Sequence, residues 1–175
     1  LIVFTKAGFA QTLRWIYRFA GQYHSHDFAN SITYGSDGNL YSAGSSKYSD
    51  WWDNFSIVSL DQNGAERWVY IYLTPGSTSD IAKSIAFGTD GNVYAAGQSH
   101  CTRAFYDLLV VSMDANGTER WKYRSDSTTY VWDEVSSIIS GPDGNLYIAG
   151  SCGVWDSLGD FAVLSLEANG NERWL

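Results

Sequence analysis

The sequence predicts an all-β protein assembled from repeated four-stranded antiparallel sheets, and three observations carry that prediction. The octapeptide DGNLYSAG at 37–44 returns as DGNVYAAG at 90–97 and as DGNLYIAG at 143–150, 53 residues apart each time. A second motif keeps the same spacing. DQNGAERW ends at Trp68, DANGTERW at Trp121 and EANGNERW at Trp174, and AQTLRW ends at Trp15, again 53 residues before Trp68. Finally, no stretch carries a 3.6-residue apolar stripe with caps, the mark of an amphipathic helix. A fixed period over nearly the whole chain is the signature of a repeat architecture.

One period reads as four strands in order. ANSITYG, 29–35, alternates apolar with small or polar residues and meets Asp37-Gly38. Asp-Gly between two β-type runs predicts a tight hairpin of type I′, whose central residues need positive φ. NLYSAG follows as the second strand, and then a loop of about ten residues, 45–54. FSIVSL is the third strand, Asn63-Gly64 the second hairpin, ERWVYIYL the fourth strand, and TPGSTS leads into the next unit. The chain therefore divides into a half unit at 1–20, matching third and fourth strands, and full units at 21–73, 74–126 and 127–175. The last stops as its fourth strand begins.

A single sheet of this kind cannot bury both of its faces. Stacking successive units around an axis covers them, and predicts a β-propeller with one period per blade. Trp15, Trp68, Trp121 and Trp174 would fill the space between diverging blades. Tyr41, Tyr94 and Tyr147 fall on the second strand, and the Ala-Gly pairs at 43–44, 96–97 and 149–150 keep its end slim. A parallel β-helix is the rival architecture, but its coils are shorter and lack paired Asp-Gly and Asn-Gly hairpins. Propellers need about four to eight blades, so three and a half call for a longer chain or for association. A homo-oligomer is expected: a dimer completing one ring of about six or seven blades, with strand exchange as a route to closure.

At these residues the chain resembles a bacterial β-propeller repeat family, the seven-bladed-propeller-type repeats. SIAFGTDGNVYAAGQS from Ser84 and DLLVVSMDANGTERW from Asp107 carry the likeness, with SITYGSDGNLYSAGSS and SIISGPDGNLYIAGSC beside them. It covers about nine-tenths of the chain, the incomplete blade number being the departure. The resemblance implies the blade structure and an extracellular or cell-surface bacterial setting, and is nearly silent on activity.

Composition narrows the function. Asp and Glu outnumber Lys and Arg 19 to 11, for a net charge of −8, and no basic cluster occurs. That argues against a nucleic-acid partner and mildly for a cationic one. Apolar runs are too short for a membrane-spanning helix. The chain opens on Leu1 rather than Met, as expected of part of a longer chain or of a trimmed product. Cys101 and Cys152 leave pairing and compartment open, with two unpaired thiols near strand ends the plainer expectation.

Asp27, Asp80 and Asp133 recur before the first strand, each followed four residues on by Ser31, Ser84 or Ser137. They could ligate a cation around a central channel. Their repetition in every unit favours carboxylates that cap backbone amides. Asp37, Asp90 and Asp143 lack the spaced oxygens of a calcium loop and are explained as turn residues, as are Asn63, Asn116 and Asn169. Ser59, Ser112 and Ser165 keep the register, each before Leu or Met. His24, His26 and His100 could hold a metal but show no ligand spacing, so surface histidines are expected. No G-x-S-x-G nucleophile elbow is present.

The segments between second and third strands vary while the strands repeat. They read SSKYSDWWDN, QSHCTRAFYD and SCGVWDSLGD. Tyr48, Trp51, Trp52, Arg103, Phe105, Tyr106 and Trp155 stand there beside Asp50, Asp53 and Asp156. Aromatics among carboxylates suit stacking on sugar rings or clasping a protein. They equally suit tucking against neighbouring blades. The expected function is a non-enzymatic binding or scaffold module for a protein or carbohydrate ligand, with no cofactor and no catalytic or metal-binding residue assigned. The alternatives are a metal-assisted hydrolase or lyase at the channel mouth, and a purely structural repeat of a larger surface protein.

Overall fold

The structure, a computed structural model, describes residues 14–21, 26–47, 49, 52–72, 77–101, 106–125, 133–153 and 159–174. Among these the chain forms strands and no helix. The first sheet runs β1 (Phe28–Tyr34), β2 (Leu40–Lys47), β3 (Asp53–Leu60) and β4 (Glu66–Tyr72). The second holds β5 (Ser77–Phe87), β6 (Val93–Cys101), β7 (Asp107–Met113) and β8 (Glu119–Arg124). The third holds β9 (Glu134–Ser140), β10 (Leu146–Cys152), β11 (Asp160–Leu166) and β12 (Glu172–Trp174). Each is a four-stranded antiparallel meander in chain order.

The hairpins differ from the type I′ turns expected. Gly38 N–H donates to Gly35 O at 3.0 Å, and Gly35 N–H to Asn39 O at 2.8 Å. These bonds enclose three loop residues rather than two. They define a type I turn whose last residue, Gly38, takes the left-handed conformation at φ 82° and forms a bulge. The pattern recurs at Gly64, Gly91, Gly117, Gly144 and Gly170. The reason is the residue before each turn, whose N–H and C=O both enter the turn and so lengthen the loop by one. Strands also run further than expected. Ser45, Ser46 and Lys47 continue β2, and Asp53 and Asn54 begin β3, so much of the first predicted loop is ladder. The Lys47–Asp53 ion pair, 3.1 Å, and the buried Ser46–Ser56 hydroxyl pair, 2.7 Å, hold that extension.

The recurrent glycine of the second strand has a specific cause. The first strand bulges at Asn30, Lys83 and Ser136, where the register slips by one residue. Each bulge pushes a carbonyl onto the facing strand. A Cβ on Gly44, Gly97 or Gly150 would overlap the carbonyl oxygen of Phe28, Ile81 or Glu134. Glycine is therefore dictated by close backbone approach rather than by backbone angle.

The sheets stack face to face. Tyr41, Phe55 and Ile57 of the first meet Ile85, Val93, Leu109, Val111 and Met113 of the second in one core. Tyr94 and Val110 of the second meet Val135, Ile138, Leu146, Ile148, Leu164 and Leu166 of the third in another. The middle sheet is thus covered on both sides. That explains why DLLVVSM is a continuous apolar run: Leu109, Val111 and Met113 enter one core while Val110 enters the other. Burying each such side chain fully contributes about 1.5–3 kcal/mol. The first strand of each following sheet lies against the first three strands of the sheet before it, β5 on β1–β3 and β9 on β5–β7.

Candidate binding rim

Each meander has two ends. The six three-residue hairpins cluster at one, and the connections from second to third strand lie at the other. The hairpin end repeats a Tyr-to-Asp and an Arg-to-Ser hydrogen bond in every sheet, joined by an Arg-to-Tyr bond in the first two. Tyr94 Oη donates to Asp90 Oδ2 at 2.6 Å, and Arg120 Nη1 donates to Tyr94 Oη at 3.3 Å and to Ser112 Oγ at 3.1 Å. Tyr41, Asp37, Arg67 and Ser59 repeat it in the first sheet. In the third, Tyr147 donates to Asp143 at 2.6 Å and Arg173 to Ser165 at 3.1 Å. Burial would raise the Asp90 carboxyl. The hydrogen bonds from Tyr94 and Asn92 and the Arg120 charge outweigh it and hold the group below its ordinary value. Burial first, then Asp90, pushes the Tyr94 phenol up to about 12.

A seam joins successive sheets at the same end. Trp68 packs on the left-handed Gly117, and its Nε1–H donates to Ala115 O at 3.1 Å. Trp121 packs on Gly170 and donates to Ala168 O at 2.9 Å. Trp15 lies on Gly64 in the same way. Tyr17, Tyr70 and Tyr123 each donate to a glutamate of the following sheet, Glu66, Glu119 and Glu172, at 2.5 to 2.7 Å. Of these groups the sequence singled out the tryptophans, the turn aspartates, the serines and Tyr41, Tyr94 and Tyr147. It missed the arginines, the glutamates and the seam tyrosines Tyr17, Tyr70 and Tyr123. The signal of the arginines and glutamates was present in the repeated ERW tripeptide, of which only the Trp was weighed.

Of the recurrent aspartates expected before the first strands, Asp27 and Asp133 precede them and bond locally, whereas Asp80 lies inside β5, opposite Ser99, because that strand starts earlier, at Ser77. Asp27 accepts from Gly21 N–H at 2.8 Å and from Lys47 N–H at 3.0 Å. Asp133 accepts from Ser125 Oγ at 2.7 Å, and Ser125 in turn receives Leu108 N–H at 2.9 Å. Burial, with the nearby Asp107 charge, raises the Asp133 carboxyl against the bond from Ser125. Asp107 itself is paired with Arg124, Nη2 to Oδ2, at 2.6 Å. Asp80 is buried at 1% exposure.

At the loop end, Trp52 opens to solvent with 41% exposure beside the Lys47–Asp53 pair, which neutralises one of the carboxylates. Tyr106 sets its ring edge-on to His100, centroids 5.0 Å apart. His26 stacks on Phe28 at 6.2 Å. Tyr48, Trp51, Arg103, Phe105 and Trp155 lie outside the described residues, as do His24, Asp50 and Asp156. The described rim therefore joins Trp52 and Tyr106 of different sheets to one end of the stack. Among the described residues no three His, Cys, Asp or Glu side chains are grouped to hold a metal ion. Among the described residues no helix is long and apolar enough to cross a membrane. Cys152 is a free, half-buried thiol. It borders a small cavity of about 50 Å³ with Asp133 and Ser125. A larger cavity, about 610 Å³, lies elsewhere, between segment 14–21 and the first sheet, against Phe19, Phe28, Val58 and Leu60.

No protein-family model matches the chain. No curated protein matches it.

Proposed function

We propose that the chain is a β-propeller-type scaffold that binds a protein or glycan ligand through its loop end, without chemistry of its own and without a cofactor. The observation that supports this most is the contrast between the two ends of the sheets. The hairpin end repeats the same Tyr–Asp and Arg–Ser hydrogen bonds in all three sheets, so these polar groups are engaged in bracing each sheet's own turns. The loop end differs in every unit and offers aromatic surface, with Trp52 open to solvent. A rigid stack carrying variable aromatic loops is how scaffolds present recognition surfaces. The net charge of −8 adds a preference for a cationic partner. The resemblance to bacterial propeller repeats supports a setting outside the cell or at its surface.

The test is retention on a glycan array and on a panel of basic proteins, with Trp52→Ala and Tyr106→Ala as the loop variants. Binding that these substitutions weaken by about tenfold or more supports the reading. Binding indifferent to both, or substrate turnover dependent on an added divalent ion, would refute it.

A further inference from the structure

We propose that Asn116 and Asn169 are deamidation sites guarded by the seams between sheets. Each converts to isoaspartate when the preceding sheet's tryptophan lifts away, and the product then keeps that seam open. The inference stands on the contacts between stacked sheets and is independent of the binding reading above.

The reaction needs only water. The main-chain nitrogen of the following glycine attacks the asparagine Cγ. The side-chain nitrogen leaves as ammonia, taking the proton that the glycine nitrogen gives up, and a succinimide ring remains. Water then opens the ring at one or the other carbonyl, to aspartate or isoaspartate. Glycine, with no Cβ, obstructs this attack least of all residues. Asn116-Gly117 and Asn169-Gly170 are such pairs, and both asparagines are exposed.

The turn and the neighbouring sheet restrain them. Gly117 N–H donates to Asp114 O at 3.2 Å, and Gly170 N–H to Glu167 O at 2.9 Å. Each nitrogen reaches Cγ only when its rigid peptide plane turns about the asparagine ψ, which breaks that bond. The glycine also lies under an indole. A Cβ on Gly117 would stand 2.7 Å from Trp68 Cγ, and one on Gly170 2.8 Å from Trp121 Cδ2. The carbonyl just before each asparagine is pinned to the same tryptophan. Trp68 Nε1–H donates to Ala115 O at 3.1 Å, joined by Arg67 Nη2–H, and Trp121 Nε1–H donates to Ala168 O at 2.9 Å.

The Asp-Gly turns supply the contrast. Gly91 has nothing within 4 Å of an added Cβ, so no seam covers that turn. Its aspartate is protected chemically instead. The Asp90 carboxylate accepts from Tyr94 Oη and Asn92 Nδ2, each at 2.6 Å, and an ionised carboxylate is a poor target for a nucleophile. An amide lacks that protection, so the Asn-Gly turns depend on their cover. Isoaspartate inserts a methylene into the main chain of a three-residue turn. It also sets a negative charge beside Asp114 or Glu167, which now accept from Asn116 N–H and Asn169 Nδ2. The glycine then no longer lies where the indole packs.

Peptide mapping by mass spectrometry, with enzymatic methylation of isoaspartyl carboxyls, tests this on the 175-residue chain at mildly alkaline pH. The folded wild type should form isoaspartate at both sites, at least about tenfold more slowly than the chain unfolded in urea. Trp68→Ala should speed the reaction at Asn116 by about fivefold or more and leave Asn169 at its wild-type rate, and Trp121→Ala should do the reverse. If a variant unfolds, circular dichroism shows it, and the comparison of folded with urea-unfolded wild type decides. The fraction carrying isoaspartate at 116, separated by ion exchange, should unfold at lower urea than Asn116→Asp, which has the charge without the added methylene. Equal rates in folded and unfolded wild type would overturn the inference, as would a folded wild type in which neither asparagine reacts. So would a folded Trp68→Ala chain whose Asn116 reacts no faster than in wild type, or an isoaspartyl fraction as stable as Asn116→Asp.

Discussion

Gly97→Ala isolates the close approach of backbone to backbone inside the second sheet. The added methyl would overlap the Ile81 carbonyl oxygen and lie 2.8 Å from Ala82 Cα and 2.9 Å from Ile81 C. Ordinary contact begins near 3.4 Å, and all three obstacles are main-chain atoms that no rotamer change can move. Strand β5 must shift, and it is packed between two cores, so the shift spoils contacts on both faces. Overpacking of this kind costs about 2–4 kcal/mol. For a chain of this size that lowers the melting temperature by roughly 5–15 °C. Gly91→Ala is the control. Gly91 sits at φ 79° with nothing within 4 Å of its added Cβ. It carries only the left-handed penalty, about 1–2 kcal/mol. Urea titration followed by tryptophan fluorescence reads both variants. Gly97→Ala should lower the midpoint at least as far as Gly91→Ala, and further if strand β5 cannot yield. A Gly97→Ala protein more stable than Gly91→Ala would refute the argument from bulge and carbonyl.

Two further substitutions probe the polar groups. Tyr94→Phe removes the hydroxyl that links Asp90 to Arg120, both about a third exposed, so a loss of about 1–2 kcal/mol is expected in the same titration; an unchanged midpoint would show the network to be idle. The wild-type phenol, pushed up to about 12 by burial and then by Asp90, contributes stability that is whole below its ordinary 10.0 and is lost as pH rises through that raised value. Absorbance at alkaline pH should therefore show late phenolate formation coinciding with unfolding, and early ionisation in the folded state would contradict it. Asp133 has the opposite consequence near neutrality. Its carboxyl is raised above 3.8 by burial, so its favourable contribution is whole below 3.8 and is lost as pH rises through the folded value. Asp133→Asn should accordingly gain stability relative to wild type at pH 7, and the gain should shrink as the pH is lowered toward 4. A gain that grows on acidification would overturn that assignment.

The strand order was legible because turn chemistry and period-two alternation are local. Asp-Gly and Asn-Gly marked all six hairpins, and the residues between them could only be short strands. The form of those hairpins was not legible, since one residue's backbone bonds decide whether two or three residues turn. The loop end was read by composition, which placed Trp52 and Tyr106 correctly on second-to-third connections. Composition could not foresee that Asp53 would be paired with Lys47, because that pairing follows from strand register rather than from spacing. The arginines of ERW were passed over for a similar reason. An Arg looks like any surface cation until the facing strand brings a Tyr and a Ser within reach of its guanidinium.

The amino-acid order by itself determined an all-β chain of 53-residue units, each an antiparallel meander, because every interaction that specifies a meander lies within one unit. Tertiary structure decided which faces are core. Tyr41, Tyr94 and Tyr147 are the same residue in the same motif, yet the first two are sealed and the third is not. Burial belongs to a pair of sheets rather than to a residue, and a repeat cannot announce from inside itself whether a neighbour lies across from it.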